Sequence, residues 1–192
     1  RGRQRHSCLR QIAVAANQPN YKWEFNLVED NQANAFCLPG GKVVVYTGIL
    51  KYAKNDDQLA TVISHEVAHA LARHGAERVT QGMIQQGVGL IGSVAVAATA
   101  PQYQNAFNQA YGLGSNLGVM LPYGRMQESE ADEIGIYLMH KAGYNVNEAT
   151  KFWENMSEGK SGGNDFFSTH PSSQNRTKDI QTVINKIGNE AK

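Results

Sequence analysis

Two histidines and a glutamate in one short stretch have the residue types and the spacing of a metal site with a catalytic base. His65 and His69 are one helical turn apart, so both imidazoles point the same way, and Glu66 lies between them in sequence. Imidazoles bind zinc, and a neighbouring carboxylate can take a proton from zinc-bound water. This HExxH arrangement predicts one Zn²⁺ per chain, with His65 and His69 as ligands and Glu66 as a general base.

The helix that must position these residues is marked at both ends. Asn55 is the predicted N-cap with Gln58 as its capping-box partner, and Gly75 is the predicted stop. A chance match would leave the histidines on a solvated face. Instead Glu66 falls on an apolar stripe that faces a core, where unpaired polar groups are costly. The stripe consists of Leu59, Val62, Ile63, Val67, Ala70 and Leu71.

A catalytic zinc ion needs a third protein ligand and leaves one position open. A metzincin-type continuation does not fit, because Ala72 and Gly75 occupy the places of its glycine and its third histidine. His74 is predicted to lie in the last turn of the same helix, where an imidazole interacts favourably with the helix dipole. The third ligand is therefore expected from another part of the chain.

The acidic stretch GRMQESEADEIG supplies the better candidate. Glu128 and Asp132 are four residues apart on one helical face, so one carboxylate can bind the metal while the other orients a ligating histidine. Gly135 gives room nearby. Glu130 and Glu133 face elsewhere and are predicted to be solvated. The alternative is that all four acids form an exposed charged face.

The remaining pattern predicts an α+β fold, mainly helical, with a small antiparallel sheet. Strands are predicted at 23–27, 34–38 and 42–46, and the last two are split by a Pro-Gly-Gly turn. Further helices are predicted at 7–17, 49–54, 124–142, 147–156 and 172–187.

A Gly-, Ala-, Gln- and Asn-rich segment, about 81–120, predicts a loosely packed helix pair that can lie over an active site as a movable cover. Its apolar part, 88–100, is shorter than the ~20 residues that cross a bilayer. Contact with a membrane surface remains an open alternative, although the polar face lacks Lys and Arg.

Composition predicts one domain, 1–192, with a net charge of +1. The only basic cluster, at residues 1–6, is interpreted as a solvated linker, so no nucleic-acid partner is expected. The absence of a signal peptide suggests a mature or trimmed segment. Cys8 and Cys37 are too few for a zinc knuckle, and both a disulfide and two buried free thiols remain open.

With HEVAH followed by ESEAD, the chain resembles the gluzincin-type zinc peptidases of the HtpX and CAAX prenyl protease family. Two further stretches, NAFCLPGGKVVVYTGIL and FFSTHPSSQNR, agree with this family, and the resemblance is greatest to its soluble, mostly periplasmic bacterial branch. It implies Glu128 as the third zinc ligand and Asp132 as the acid behind a ligand. It also implies that Asn34, Ala35 and Phe36 line the cleft, where an extended substrate can add to an edge strand.

His170 and Arg176 are weighed separately. A histidine at a helix entry is often only a structural hydrogen bonder, whereas the resemblance implies that His170 reaches the open zinc position or steadies the oxyanion. Arg176 is predicted to brace this segment, against an acid near Glu128.

These expectations combine into a zinc metalloendopeptidase of protein quality control in the periplasm or cell envelope, with protein or peptide substrates. Two alternatives stand: a latent peptidase gated by His170 or by the cover, and a zinc-stabilised chaperone or adaptor. Latency would appear as activity gained when the gate is removed.

Overall fold

A computed structural model describes residues 10–158, 166–171 and 175–190, and these residues form a mainly helical α+β fold, as predicted. Helix α1 spans 10–16 and precedes the strands β1 (Glu24–Val28), β2 (Ala35–Leu38) and β3 (Lys42–Tyr46). A 3₁₀ turn, Thr47–Lys51, leads into α2 (Asp56–Leu71). The remaining helices are α3 (His74–Thr99), α4 (Gln104–Ser115), α5 (Leu121–Lys141), α6 (Glu148–Glu158), α7 (Phe166–Thr169) and α8 (Arg176–Glu190). A 3₁₀ turn, Pro101–Tyr103, precedes α4, and a π-helical turn, Asn116–Met120, joins α4 to α5.

The sheet is mixed, so the prediction of an antiparallel sheet is wrong for one of its two pairings. Strand order is β1-β3-β2: β2 is antiparallel to β3, whereas β1 is parallel to β3. The chain reverses twice, and the second reversal, at Gly40 and Gly41 with positive φ, inserts β3 beside β1. The loop after β1 packs directly against Gly48. A Cβ added at Gly48 would lie 2.2 Å from the Asn31 carbonyl oxygen, so this contact requires glycine.

Helix α2 lies at the centre of the core, and its start is confirmed. The Asn55 side chain accepts a hydrogen bond from the backbone N–H of Gln58 at 2.8 Å. Every residue from Gln58 to Ala70 is buried. The predicted end is wrong: the helix stops at Leu71 because Arg73 adopts a left-handed conformation with φ 59°. This residue reverses the chain, and His74 begins α3 instead of ending α2.

Helices α2 and α5 pack in close antiparallel contact. A Cβ at Gly135 would lie 3.2 Å from the backbone nitrogen of His65, closer than most Cβ contacts, so glycine favours this close approach of the two backbones. Deeper in the same contact, the Thr61 hydroxyl lies 3.4 Å from the sulfur of Met139. The predicted helix stop at Gly143 is confirmed, with φ 82°. This packing fixes the spacing between the histidines of α2 and the acids of α5.

Helices α3 and α4 form the predicted helix pair over residues 81–120. Tyr111 contacts the backbone at Gly89 and donates a hydrogen bond to the Gln85 carbonyl at 2.8 Å, while Phe107 contacts Gly92. Apart from His74, no residue of α3 or α4 is buried within the part of the chain that the structure describes. The prediction that its apolar part is too short to cross a membrane is wrong, because α3 runs for 26 residues and passes that test by length and composition.

Candidate metal and catalytic site

Helices α2 and α5 and the segment after α7 bring four potential ligands to one point. One ligand atom from each of His65, His69, Glu128 and His170 lies within 4.8 Å of the others, and all four side chains are buried. The Nε2 atoms of His65 and His69 are 3.1 Å apart. Glu128 Oε2 lies 3.1 Å from His65 Nε2, and Glu128 Oε1 lies 3.4 Å from His69 Nε2.

These separations fit the edges of a zinc tetrahedron. Zinc bonds of about 2.0–2.2 Å to nitrogen and oxygen place tetrahedral ligand atoms roughly 3.3 Å apart. The His65 Nδ1 lies 2.9 Å from Asp132 Oδ1, and an ionised carboxylate can only accept, so this nitrogen carries the proton. The lone pair of His65 Nε2 is then directed at the shared point. Two imidazoles and a carboxylate are a donor set that suits zinc.

The charges around this point favour a bound cation. Burial opposes the charged form of His65, but its contacts with Asp132 and Glu128 outweigh burial and raise the pKa of His65 to about 9. Burial lowers the pKa of His69 to about 3, so this imidazole is neutral. Burial also opposes ionisation of Glu128, yet the three surrounding histidines hold the pKa of its carboxyl well below the usual range. A divalent ion can replace the proton that the carboxylates otherwise attract to His65.

Asp132 and Arg176 form a buried ion pair behind His65. Arg176 Nη2 donates to Asp132 Oδ1 at 2.7 Å, and its guanidinium lies over the Trp153 ring, 3.3 Å from the centroid. Burial would raise the pKa of Asp132, but the charge of Arg176 and the contact with His65 lower it overall. Arg176 Nη2 also lies 3.9 Å from Glu128 Oε2. The structure therefore places Arg176 against Asp132, an acid near Glu128, as predicted.

Glu66 differs from its neighbours because its carboxylate is not fully bonded. The side chain is buried, and Oε1 has no hydrogen-bond partner among the described residues. Burial raises the pKa of Glu66, partly opposed by the charges of His170 and His65. His170 Nε2 lies 3.5 Å from Glu66 Oε1, and His170 Nδ1 lies 3.2 Å from Glu128 Oε2. Phe166 stacks on the His170 ring at a centroid distance of 4.2 Å and fixes its plane.

A cleft of about 630 Å³ lies next to Glu66, and the edge strand β2 forms one wall. The three residues predicted to bind substrate, Asn34, Ala35 and Phe36, all line this cleft. In an antiparallel ladder, hydrogen-bonding residues alternate, and the Tyr46 N–H already donates to the Asn34 carbonyl. Ala35 therefore turns its main-chain groups toward the free edge, where its N–H is bonded to the Asn34 side chain.

Several site residues were not predicted as such. His74, expected at the end of α2, lies on α3 with its Nδ1 2.8 Å from His69 Nδ1. Glu130, expected to be solvated, is largely exposed, but its Oε2 lies 3.2 Å from His74 Nε2. Arg78 donates to Glu128 Oε1 at 2.9 Å and to Gln127 at 2.7 Å. His74 and Arg78 are four residues apart in the sequence, which is a helical spacing. Their contacts with His69 and Glu128 depend on the chain reversal before α3, which the spacing does not indicate.

Cys37 also lines the cleft. Burial and the charge of Glu66 raise the pKa of its thiol to about 12, so it is not a reactive thiolate at neutral pH. Cys8 lies outside the described residues, as do parts of the segment from 159 to 174, so a pairing of the two cysteines stays a prediction.

Comparison with known proteins places this site in context. The model of Peptidase family M48 matches residues 1–184. The chain is 39% identical over 176 residues to the mitochondrial metalloendopeptidase OMA1 of Schizosaccharomyces pombe, covering 90% of this chain and 50% of that protein. It is 39% identical over 169 residues to OMA1 of Arabidopsis thaliana, covering 86% and 32%. It is 29% identical over 178 residues to the β-barrel assembly-enhancing protease of Escherichia coli, covering 90% and 36%. The chain thus spans about a third to a half of the length of these relatives.

Proposed function

Because the chain belongs to peptidase family M48, we propose that it hydrolyses peptide bonds in protein substrates at the site between α2 and α5. The family match and the relatives' names support the predicted enzyme class, a metalloendopeptidase. The observation that carries the proposed reaction is Glu66. It is a buried carboxylate with an unbonded oxygen, next to the ligand cluster and open to the cleft.

His65, His69 and Glu128 are the proposed metal ligands, since their atoms have zinc-like separations. When bound, Zn²⁺ supplies Lewis acidity and lowers the pKa of water toward ~7. Glu66 takes a proton from water in the cleft and later gives it to the leaving amine. A raised pKa suits both halves of this task, because the same carboxyl must accept and release the proton near neutral pH.

His170 is the second proposed catalytic residue. Its ring is buried against Phe166, and its nitrogens lie near both Glu66 and Glu128. A donor held there can stabilise the oxyanion that develops on the scissile carbonyl. The same closeness to Glu128 supports the alternative of latency, in which His170 occupies the fourth metal position until a substrate displaces it.

Asp132 and Arg176 are proposed to hold the first ligand in place. Asp132 fixes the proton of His65 on Nδ1, and Arg176 neutralises that buried carboxylate. For the substrate, we propose that an extended segment pairs with β2 at Ala35 and displaces the Asn34 side chain from the Ala35 N–H. Phe36 and Asn34 complete the wall of the cleft.

We also propose a domain organisation, a class of substrate and a location for the enzyme. We take 1–192 as one metallopeptidase domain in which the segment 81–120 is the cover. The Escherichia coli relative is named for enhancing β-barrel assembly, which supports misfolded or envelope proteins as substrates and a periplasmic or envelope location here. The exposed apolar residues of α3 support peripheral association with a membrane, and they include Val88, Leu90, Ile91 and Val94.

The experiment measures zinc content and casein cleavage in the wild type, Glu66→Gln and His170→Ala. We expect about one zinc per chain in all three proteins and loss of cleavage in Glu66→Gln by at least ~10²-fold, because the base is removed and the ligands are kept. Full activity of Glu66→Gln contradicts the proposed mechanism. Cleavage by His170→Ala alone indicates the latent enzyme. Zinc without cleavage in any protein favours the chaperone or adaptor, which would bind unfolded chains along β2.

A further inference from the structure

A second buried pair of nitrogens lies behind His69, on the side away from the ligand cluster. His69 Nδ1 and His74 Nδ1 are 2.8 Å apart, a hydrogen-bond distance, and the His74 side chain is 1% exposed. The other nitrogen of His74, Nε2, lies 3.2 Å from Glu130 Oε2. A chain of contacts therefore leads from solvent at Glu130 through His74 to His69.

The direction of these hydrogen bonds follows from the acceptor at the outer end. An ionised carboxylate has no proton to give, so Glu130 accepts from His74 Nε2–H. A neutral His74 then has no proton on Nδ1 and can only accept there. His69 must donate from its own Nδ1–H, which leaves the lone pair of His69 Nε2 facing the point shared with His65 and Glu128.

We propose that His74 is a positioning residue that selects the metal-binding tautomer of His69, with Glu130 orienting the His74 ring. This inference rests on the proposed metal site. It gives His69 the support that Asp132 gives His65, but with an imidazole in place of a carboxylate. A neutral acceptor adds no further negative charge to a site that already holds Glu66, Glu128 and Asp132.

The position of His74 depends on the chain reversal between α2 and α3. Arg73 adopts the left-handed conformation, so that the first residue of α3 turns back toward the last turns of α2. The two imidazole rings meet at 72° with centroids 4.9 Å apart. His74 is not itself within the ligand cluster, so it acts on the metal only through His69.

The test measures zinc affinity by competition with a chromophoric chelator, and the d–d absorption spectrum of the cobalt-substituted protein. The variants are His74→Leu, His74→Asn and Glu130→Leu, with His140→Leu as the control because His140 is an exposed histidine at the end of α5. Asn places an amide oxygen near the position of Nδ1, so it restores the acceptor without the ring.

We expect His74→Leu to bind zinc about 10–100-fold more weakly and to alter the cobalt spectrum, while His74→Asn stays within about threefold of wild type. Glu130→Leu should fall between them, because Glu130 is largely exposed. Wild-type affinity in a folded His74→Leu overturns the inference, as does an affinity of His74→Asn as low as that of His74→Leu. If His74→Leu does not fold, His74→Gln replaces it, because the glutamine amide lies beyond the position of Nδ1. Equal zinc affinities of His74→Asn and His74→Gln then overturn the inference.

Failure of the proposed function is distinguishable from failure of this inference. Zinc binding without cleavage in both the wild type and His170→Ala ends the proposed reaction, whereas the order of affinities among the His74 variants still decides the role of His74. A wild type that binds no zinc overturns both.

Discussion

Helix pairs α2–α5 and α3–α4 are both antiparallel, but they differ in the charged side chains that they contain. The first pair buries Glu66, Glu128 and Asp132, and each of the two acids of α5 has cationic or imidazole partners. The second pair has no Asp, Glu, His, Lys or Arg from Val79 to Gly124, and most of its large apolar side chains are exposed within the described residues.

The contrast explains where the chemistry can lie. Burial strengthens the interactions between charged groups and holds these groups in fixed positions, and the acids between α2 and α5 are buried. Within 81–120 the two helices share one interface, with aromatic rings placed against glycines, and none of these described residues is buried. From Val79 onward this pair can move or meet an apolar partner without disturbing the proposed metal site, whereas His74 and Arg78 in the first turns of α3 contact that site directly.

The largest effect that would sharpen this contrast is expected from Glu128→Gln. Removing the charge from a carboxylate held by three histidines and Arg78 should lower kcat/KM by at least about a thousandfold, ~4 kcal/mol of transition-state stabilisation, and release zinc on dialysis. Zinc content and cleavage measured together test this. Glu133→Gln on the same helix is the control, because Glu133 is half-exposed and only 3.9 Å from Lys186 in a surface pair. Retained zinc and activity in Glu128→Gln would break the contrast.

The next prediction concerns pH. Burial raises the pKa of Glu66 above that of an exposed glutamate, about 4.3, and only the ionised form can accept a proton. At saturating zinc, kcat/KM should therefore fall about tenfold per pH unit once the pH drops below this raised pKa. A profile from pH 4 to pH 8 measures the acid limb. Activity that stays constant down to pH 4.3 contradicts it, and a substitution in the cover, which has no such acid, should not move the limb.

How much could be predicted from the sequence depended on whether the signal was local. The Asn55 cap, the apolar stripe around Glu66 and the spacing of Glu128 and Asp132 are all readable within one helix. Both helices are present, although α2 ends at Leu71 and not near Gly75. The assignment of roles to these residues stays a prediction. The parallel pairing of β1 with β3 depends instead on two chain reversals.

The site residues that could not be predicted, His74 and Arg78, also depend on a chain reversal. His74 begins α3 and does not end α2 as predicted, because Arg73 and not Gly75 adopts the left-handed conformation. Arg78 reaches Glu128 only because α3 turns back over α5. A left-handed non-glycine residue has no reliable sequence signal, so the contacts of α3 with the proposed metal site could not be inferred from spacing.

The smallest effects are expected from two glycine-to-alanine substitutions that should differ in sign. In Gly135→Ala, the new methyl group would lie 3.2 Å from the His65 backbone nitrogen, so the helices must separate and stability should fall by about 1–3 kcal/mol. In Gly112→Ala, on α4, nothing lies within 4 Å, and the higher helix propensity of alanine should raise stability by up to ~1 kcal/mol. Urea denaturation measures the first, and hydrogen exchange of the α4 amides measures the second. Equal destabilisation by both would mean that the cover is packed as tightly as the metal-binding pair, contrary to the exposure of its helices.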